Sequence, residues 1–335
     1  MLRTDIAIIG AGPAGLFAAF YAGMRHLTTQ VIDTLPNAGG QPFALYPEKK
    51  IYDIGGIPNL SGQALTTNGL AQIEPFRATT TLCFDEKVLQ FSQVEDDGET
   101  YFTITTSKGT REARAILIAT GGGAFSPRLL KAKGVDALPN DQLTYIAKPY
   151  ASYQHKTLAI LGGGDTALDY ANEIAPYADH IALIHRRDRF RGLEHQVALL
   201  ETHPNVERIT PYIPNQIDLT ADGKISLTLT KARTEDSKQL VVDEVLVAYG
   251  FIGSQTEMND WPVTTHHQAI PVDQQMATDH PGVFAIGDIA TYPHKTKLIA
   301  SAYGEAPTAI NSIFRYLHPD DDLHMIHSTT FFGSH

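Results

Sequence analysis

Short runs of apolar residues alternate with glycine-containing turns and amphipathic stretches along most of the chain. The first run, DIAIIG at residues 5–10, predicts a buried strand, and AGPAGLFAAFYAGMRH after it predicts a helix opened by glycines. A further apolar run, QVID, follows at residues 30–33. This order of elements predicts a strand–helix–strand (βαβ) unit.

The turn of this unit carries Gly10, Gly12 and Gly15, and its second strand ends on Asp33. In a dinucleotide-binding domain the first glycine permits a tight turn, the second lets the backbone approach a pyrophosphate, and the third allows close packing of helix on strand. The helix N-terminus offers unpaired N–H groups to phosphates, while the acid accepts from ribose hydroxyls. Because strand, glycines, helix and acid occur together, we predict a dinucleotide site rather than a purely structural turn.

The same pattern returns at residue 157. The segment TLAILGGGDTALDYANEIA predicts a second strand, glycine turn and helix, with Gly162, Gly164 and Ala167 at the three fingerprint positions. The strand predicted next, HIALIHRR at residues 180–187, ends on a histidine and two arginines instead of an acid. An acid at this place suits a free ribose hydroxyl, whereas arginines accommodate a 2′-phosphate. We therefore assign the first site to FAD and the second to NADPH.

The arginines belong to a cluster, HRRDRFR at residues 185–191, in an acidic chain. The whole chain has 26 Lys and Arg against 37 Asp and Glu, a net charge of -11, which argues against a general binder of nucleic acid. The cluster predicts a local site for a small anion, although a solvated helix end with scattered cations is the alternative. Arg186 and Arg187 are the expected phosphate contacts, Arg191 is a third, and Arg189 is expected to face solvent.

The length of 335 residues exceeds what a single core usually supports, so we expect two domains. Further buried strands are predicted in ARAILIATGG (113–122), DEVLVAYGF (243–251) and GVFAIGDIA (282–290), with a helix from about residue 298 to 317 and a hairpin turn at KARTEDSKQ (231–239). The predicted fold class is α/β, with two Rossmann-like three-layer domains. Residues 1–119 and 250–335 would form an FAD domain into which an NADPH domain, 120–249, is inserted.

The chain has a single cysteine, Cys83, in the apolar run TLCF, which excludes an internal disulfide and suits a small buried side chain. No signal peptide and no apolar run long enough to span a bilayer are evident, so we expect a cytoplasmic protein that does not enter a membrane. The adjacent His266 and His267 lack the other members of a ligand set, so we predict a surface turn and no metal site.

The motifs GAGPAG, ATG, GGGDTALDYA, HRRDRFR and AIGD, in this order, resemble the thioredoxin-reductase-like branch of the flavoproteins with two dinucleotide-binding domains. The resemblance covers essentially the whole chain. Thioredoxin reductases carry a Cys-x-x-Cys pair ahead of the second glycine motif, where this sequence has KPYASYQHKTLAIL. Dihydrolipoamide-type relatives place a cysteine pair near the N-terminus, where GGQPFALYPEKK stands. Neither pair is present here.

The branch without a dithiol is the type 2 ferredoxin–NADP reductases. The segments GGQPFALYPEKKIYDIGGIP, GAFSPR, KTKLIASAYGEAPTAINS and the terminal HSTTFF all resemble that family. The resemblance implies FAD and NADPH as cofactors, ferredoxin or flavodoxin as partner, a homodimer, and a C-terminal extension that covers the flavin.

Site residues are carried over from this resemblance. At the FAD pyrophosphate and ribose they are Gly10, Gly12, Ala14, Gly15 and Asp33, with Val88 beside the adenine. At the flavin they are Gln41 and Tyr46, with Thr329 at the ring edge. Asp288 addresses the ribityl and pyrophosphate region, and Phe125 completes the FAD set. For NADPH they are Gly162, Gly164, Asp165, Ala167, Arg186, Arg187 and Arg191. Tyr46 and His327 would stack on the two flavin faces and are the expected catalytic residues, with no obligatory acid or base. As alternatives, Tyr46 is a core aromatic and Val88 or Phe125 fills space.

These parts imply hydride transfer from NADPH to the flavin and single-electron transfer onward to a protein carrier. The nicotinamide would reach the flavin by displacing His327 or by a domain rotation. Lys49, Lys50, Lys295 and Lys297 are candidates for docking the carrier, and ordinary solvated lysines are the alternative. An NADPH-dependent quinone or ferric reductase on the same scaffold and a non-catalytic redox-nucleotide sensor remain alternative functions.

Overall fold

The computed structural model describes residues 3–96, 98–139, 141–232, 234, 236–254, 258, 260–322, 324 and 327–333. The chain forms two compact units, one of Met1–Phe125 with Gly253–His335 and the other of Ser126–Ile252. The predicted exchange points, after residues 119 and 249, lie a few residues earlier in each case. Both connections run through short strands that pair with each other, β9 (Ala124–Pro127) and β18 (Phe251–Ser254).

The first unit is built on a seven-stranded sheet with two helices that follow glycine turns. Its N-terminal elements are β1 (Arg3–Ile9), α1 (Pro13–Met24), β2 (Thr29–Ile32), α2 (Gly40–Leu45), β3 (Lys50–Ile51), β4 (Leu60–Ser61), α3 (Gly62–Ile73), β5 (Thr80–Cys83), β6 (Val88–Asp96), β7 (Glu99–Thr106) and β8 (Gly109–Ile118). The strand order is β5-β2-β1-β8-β7-β6. Strands β5, β2, β1 and β8 run parallel, and β6 and β7 add an antiparallel hairpin.

The central strand β1 is buried on both faces. Ile6 and Ile8 pack on one side, with α1, and Ala7 and Ile9 pack on the other. A parallel strand covered on both faces needs a continuous apolar run rather than an alternating one, which is what DIAIIG supplies. The predicted βαβ unit at the start of the chain is therefore confirmed.

The second unit repeats this design on a five-stranded parallel sheet of order β10-β17-β11-β12-β13, beside a three-stranded antiparallel sheet β14-β15-β16. Its elements are β10 (Leu143–Thr144), β11 (Thr157–Leu161), α4 (Asp165–Ile174), β12 (His180–Ile184), α5 (Glu194–Leu199), β13 (Val206–Ile209), β14 (Tyr212–Leu219), β15 (Ile225–Lys231), β16 (Ser237–Val242) and β17 (Glu244–Val247). Strands β15 and β16 form the hairpin expected around residues 231–239. The predicted α/β class with two Rossmann-like domains is confirmed.

The predicted strand 180–187 is too long at its C-terminal end. Strand β12 stops at Ile184, the last residue in register with β13, and the chain then turns so that His185 and the arginines leave the sheet. The positively charged segment is thus a loop at the carboxyl edge of the sheet, where open α/β sheets bind ligands.

The chain returns to the first unit with β19 (Ile270–Pro271), β20 (Val283–Ala285), β21 (Ala290–Thr291), α6 (Ile299–Leu317) and α7 (Ser328–Phe332). Strand β20 pairs in parallel with the second half of β8. It is shorter than the predicted strand 282–290, because Gly287 takes a left-handed conformation with φ of 73° and starts a turn. In the described part of the chain, no helix has the length and apolar character needed to cross a membrane.

Candidate functional site

The first glycine turn has no room for a side chain at Gly10 or Gly15. Gly10 has φ of 112°, and a Cβ built there would collide with the carbonyl oxygen of Ala119 at the end of β8. A Cβ on Gly15 would collide with the carbonyl of Gly10, so helix α1 can approach β1 only through a glycine. Gly12 is the N-cap of α1, in an extended conformation and without a side-chain cap. The turn therefore leaves an uncapped helix N-terminus, which attracts an anion.

Asp33, at the end of β2, ties this turn to the neighbouring strand. Its carboxylate accepts from the backbone N–H of Ala11 at 2.6 Å and from that of Leu35 at 2.8 Å. Burial raises the pKa of Asp33 above its usual value, while these backbone hydrogen bonds oppose the rise. The predicted ribose-binding acid is thus also a structural support of the glycine turn, a role that its sequence position alone did not reveal.

A second glycine pair lies directly against the first turn. Gly39 and Gly40 both have positive φ, the Gly39 N–H donates to the Ala11 carbonyl at 2.8 Å, and a Cβ on Gly40 would lie 2.9 Å from the Gly12 Cα. Gln41 follows, and its amide nitrogen would lie 2.9 Å from a Cβ on Gly122. The fold therefore brings Gln41 between the first turn and the ATGG segment.

Two further segments complete this edge of the sheet. The Thr120 hydroxyl is shielded from solvent and has no hydrogen-bond partner among the described residues. A Cβ on Gly287 would lie 3.3 Å from the Ala14 methyl, so the turn that carries the exposed Asp288 abuts the first turn of α1. The predicted residues Gly10, Gly12, Ala14, Gly15, Asp33, Gln41 and Asp288 therefore lie around one carboxyl edge.

The remaining residues assigned to the flavin are less closely associated. Tyr46 ends helix α2 and is half-buried, with the Lys49 ammonium 5.6 Å from its ring centroid. Val88 is only 5% exposed and belongs to the core on the second face of the sheet, so its side chain packs there. Phe125 belongs to β9, and its side chain lies outside the described residues.

The C-terminal segment is anchored by aromatic side chains. Phe332 stacks on Phe20 of α1, with centroids 6.4 Å apart and planes 10° apart, and Phe331 contacts Phe76 at 5.6 Å and His26 at 5.7 Å. These contacts lie toward the C-terminal end of α1, away from Gly12 at its N-terminus. His327 and Thr329 are exposed, and no ring contact among the described residues joins His327 to Tyr46. The two rings predicted to stack on the flavin are therefore not in contact with each other.

The second glycine turn, in the other unit, is crowded at its start and open at its end. A Cβ on Gly162 would lie 2.5 Å from the Ala248 carbonyl oxygen and 2.8 Å from the Ala167 methyl. Gly164 is the extended N-cap of α4, and a Cβ added to it would meet no heavy atom of the described residues within 4 Å. Helix α4, like α1, has no side-chain cap. The open space at Gly164 is where a phosphate can meet the helix N-terminus.

The loop that carries the four arginines, residues 185–191, is hydrogen-bonded to this turn through backbone N–H groups at its C-terminal end. The Arg191 N–H donates to the Gly163 carbonyl at 2.7 Å, and the Asp165 carboxylate accepts from the Leu193 N–H at 2.9 Å. All four arginines are exposed, and among the described residues no carboxylate forms a salt bridge with any of them. Asp165 therefore positions the loop, and the guanidinium groups remain available to an anion.

Two residues of this site were not predicted. His185 is buried beneath the loop, where its ring fills the space that a Gly163 side chain would need and stacks on Phe190 at 5.6 Å. Burial, and then the charge of Arg186, lowers the pKa of His185. Tyr249 follows Ala248 and is exposed; partial desolvation raises its pKa, and the nearby Arg186 charge opposes the rise. For His185 the available signal was its position directly after β12 and next to the predicted Arg186; Tyr249 has no such signal.

One predicted docking residue is corrected. Lys295 was expected at the surface, but its side chain is only 5% exposed and forms an ion pair with Glu305. Lys50 and Lys297 are exposed as expected, and Lys49 is half-buried beside Tyr46. A lysine in a loop is usually solvated, so the pattern of the sequence gave no sign that α6 would supply a buried partner.

The two edges fit the two predicted nucleotides. The first has an uncapped helix N-terminus and two glycines, Gly10 and Gly15, without room for side chains. It also has the Thr120 hydroxyl, which has no partner among the described residues, and this set suits a pyrophosphate and its polar linker. The second has an uncapped helix, an open Gly164 and exposed arginines, which suits a nucleotide with an additional phosphate. The two sites thus differ in the residues that follow the second strand, an acid in the first unit and arginines in the second.

Comparison with known proteins agrees with this division. A family profile described as pyridine nucleotide-disulphide oxidoreductase matches residues 4–311. The crystal structure of thioredoxin reductase from Lactococcus lactis, in its FR conformation, superimposes with a TM-score of 0.70 at 24% identity and covers 94% of this chain and 99% of that chain. At this identity the likeness shows the fold alone.

Curated relatives are more similar in sequence. A protein named ferredoxin–NADP reductase from Limosilactobacillus fermentum is 44% identical over 330 residues, 98% of each chain. A protein named ferredoxin–NADP reductase 2 from Latilactobacillus sakei is 43% identical over 326 residues, 97% of each chain.

Proposed function

The chain belongs to the pyridine nucleotide-disulphide oxidoreductase family, and we propose that it is an FAD-dependent ferredoxin–NADP⁺ reductase that works without a redox dithiol. The proposal rests mainly on a contrast between the two predicted dinucleotide sites. The first has an acid, Asp33, after its second strand, and the second has arginines, in a chain with a single cysteine. The relatives that match over nearly the full length, and that are named for this activity, support it.

The single cysteine separates this chain from the disulphide chemistry in the family's name. Cys83 is 7% exposed at the end of β5, and burial raises the pKa of its thiol. The thiolate, not the thiol, is the reactive form, and no second cysteine exists to form an internal disulfide. Electrons therefore have no protein dithiol to pass through.

FAD, when bound, accepts a hydride from a reduced nicotinamide and releases electrons singly to a carrier protein. The protein contributes binding and orientation. Helix α1 and Thr120 would hold the pyrophosphate and its polar linker, Asp33 the ribose and Asp288 the ribityl region. In the second unit, α4 would hold the NADPH pyrophosphate, and Arg186, Arg187 and Arg191 the 2′-phosphate. Proximity of the two bound rings, rather than an acid or base, would account for much of the rate.

Tyr46 and His327 are proposed to stack on the two faces of the flavin, as the resemblance implies. Tyr46 is supported by its place at the end of the helix that starts with Gly40 and Gln41. For His327 the proposal rests on the resemblance, since Phe331 and Phe332 pack toward the far end of α1. Stopped-flow reduction of His327→Ala by NADPH checks this. An unchanged flavin spectrum and hydride-transfer rate would remove His327 from the mechanism.

Ferredoxin is the proposed redox partner, with flavodoxin as a second carrier of the same kind. Since the chain itself carries -11, attraction of an acidic carrier has to come from a local patch, for which exposed Lys50 and Lys297 are candidates. We also propose a cytoplasmic homodimer, on the strength of the family resemblance.

Anaerobic titration tests the proposal in one preparation. The purified protein is expected to be yellow, to be bleached by NADPH at lower concentration than by NADH, and to pass its electrons to added ferredoxin. Ferredoxin reduction should slow as salt is raised. Protein that lacks FAD, or FAD that NADPH does not bleach, would favour a redox-nucleotide sensor. Higher catalytic efficiency with quinones or ferric chelates than with ferredoxin would favour a reductase of those acceptors.

A further inference from the structure

A buried network of three side chains lies behind the turn that carries Asp288. The Glu305 carboxylate accepts from the backbone N–H of Gly287 at 2.8 Å and from the Tyr292 hydroxyl at 2.8 Å, and it forms an ion pair with Lys295. The side chains of Lys295 and Glu305 are each 5% exposed. The Lys295 ammonium also lies 5.0 Å from the Tyr292 ring centroid.

Glu305 is fixed by the helix that supports it. It stands in α6, between Ala302 and Ala306, which are both buried in the core formed with α1. A Cβ on Gly287 would lie 3.3 Å from the methyl of Ala14 and 4.0 Å from that of Ala302. The Gly287 turn is thus confined between the starts of α1 and α6, and the hydrogen bond from its N–H reaches into α6.

The turn needs such a partner. The last bond from this segment to β8 is the one that the Ile286 N–H donates to the Ile118 carbonyl, so the buried Gly287 N–H would have no partner among the described residues without Glu305. An unpaired buried donor is costly, and a carboxylate acceptor gives a stronger hydrogen bond than a neutral one. A buried carboxylate in turn needs a compensating charge, which only Lys295 supplies among the described side chains bonded to it. The pKa of Tyr292 is raised to about 12, so its hydroxyl stays a donor.

We propose that Glu305, held by Lys295, is a positioning residue for FAD: it fixes the Gly287 turn and so sets where Asp288 meets the bound dinucleotide. This proposal rests on the FAD site in the first unit. A buried ion pair is not needed for stability alone, since apolar side chains of similar volume often serve as well. A role in positioning explains why a buried carboxylate accepts a hydrogen bond from a backbone N–H of this turn.

The test compares the rate at which diluted holoenzymes release FAD, followed by the rise in flavin fluorescence. The double variant Lys295→Met with Glu305→Leu removes both charges and the acceptor at similar volume, so it is expected to fold. We expect it to release FAD at least about tenfold faster than the wild type, because the Gly287 N–H loses a charged acceptor. Glu305→Gln combined with Lys295→Met keeps an acceptor oxygen without leaving a buried ammonium unpaired, and should release FAD at an intermediate rate. The visible absorption band of the bound flavin should shift in both.

Glu244→Gln is the matched control. Glu244 is also buried and paired with two lysines, Lys148 and Lys156, but it lies in the second unit. It should lower the melting temperature and leave FAD release unchanged. A double variant that melts earlier but releases FAD at the wild-type rate with the wild-type spectrum would overturn the positioning role. A wild-type protein without FAD would overturn the proposed function instead.

Discussion

The two glycine turns share one backbone plan and differ in what stands behind them. In the first, the strand-end residue is Asp33, whose carboxylate accepts from two backbone N–H groups and draws the turn toward β2. In the second, the strand-end residue is His185, whose ring fills the space under Gly163 and leaves the neighbouring arginines outside. The same turn thus presents an acceptor in the first unit and, through the loop that follows His185, a set of cations in the second.

Both strand-end groups are pushed toward their neutral forms by burial, which raises the pKa of Asp33 and lowers that of His185. The consequences for stability have opposite signs. The raised pKa of Asp33 favours the folded state at low pH, and this contribution is lost as the pH rises above the ordinary value of 3.8. The lowered pKa of His185 makes the second unit lose stability as the pH falls below 6.5.

The largest expected effect comes from adding one methyl group to each turn. Gly10→Ala should lower the free energy of unfolding by about 2–6 kcal/mol, since left-handed strain adds to a clash with the Ala119 carbonyl. Gly164→Ala should change it by less than about 0.5 kcal/mol, because the site is open. Instead it should weaken NADPH binding about tenfold by filling space needed by the phosphate. Denaturant unfolding and NADPH titration measure the two effects, and equal destabilisation would refute the contrast.

The arginine loop is expected to give the next largest effect. Arg186→Ala should raise KM for NADPH about 10–100-fold, because a charge-assisted bond to the 2′-phosphate is lost, with little change for NADH. Arg189→Ala is the control and should change KM for either nucleotide by less than about twofold if its side chain faces solvent. Steady-state kinetics with both nucleotides measure this. If Arg186→Ala impairs NADH equally, the loop is structural and the NADP assignment fails.

The smallest effect concerns protonation beneath the second turn. As the pH falls from about 7.5 to about 5, the unfolded chain takes up a proton at His185 before the folded protein does, because the folded pKa is lowered. This costs at most about 1.4 kcal/mol for each pH unit between the two pKa values. His185→Asn should remove this part of the acid sensitivity, measured as the difference in unfolding free energy between wild type and variant at each pH. Parallel pH profiles would show that His185 does not contribute.

Several elements were predictable because their signals are local. DIAIIG predicts a strand buried on both faces, and the observed β1 has apolar contacts on both. Helix α6 begins at Ile299 and ends at Leu317, close to the predicted 298–317. The predicted strands 180–187 and 282–290 were too long, because a left-handed glycine and the end of interstrand pairing are not visible in hydropathy.

Glycine spacing and apolar runs act over a few residues. The two βαβ units, their order, and the chemical difference between an acid and arginines at the strand ends could therefore be predicted from the order of amino acids alone. Which distant segments share an edge of a sheet depends on long-range packing, which became visible in the folded chain. This packing brought Gly39 and Gly40 onto the first turn, buried Lys295 against Glu305, and seated Phe331 and Phe332 on α1. Those contacts join residues far apart in the chain, and their energies depend on burial that no local pattern records.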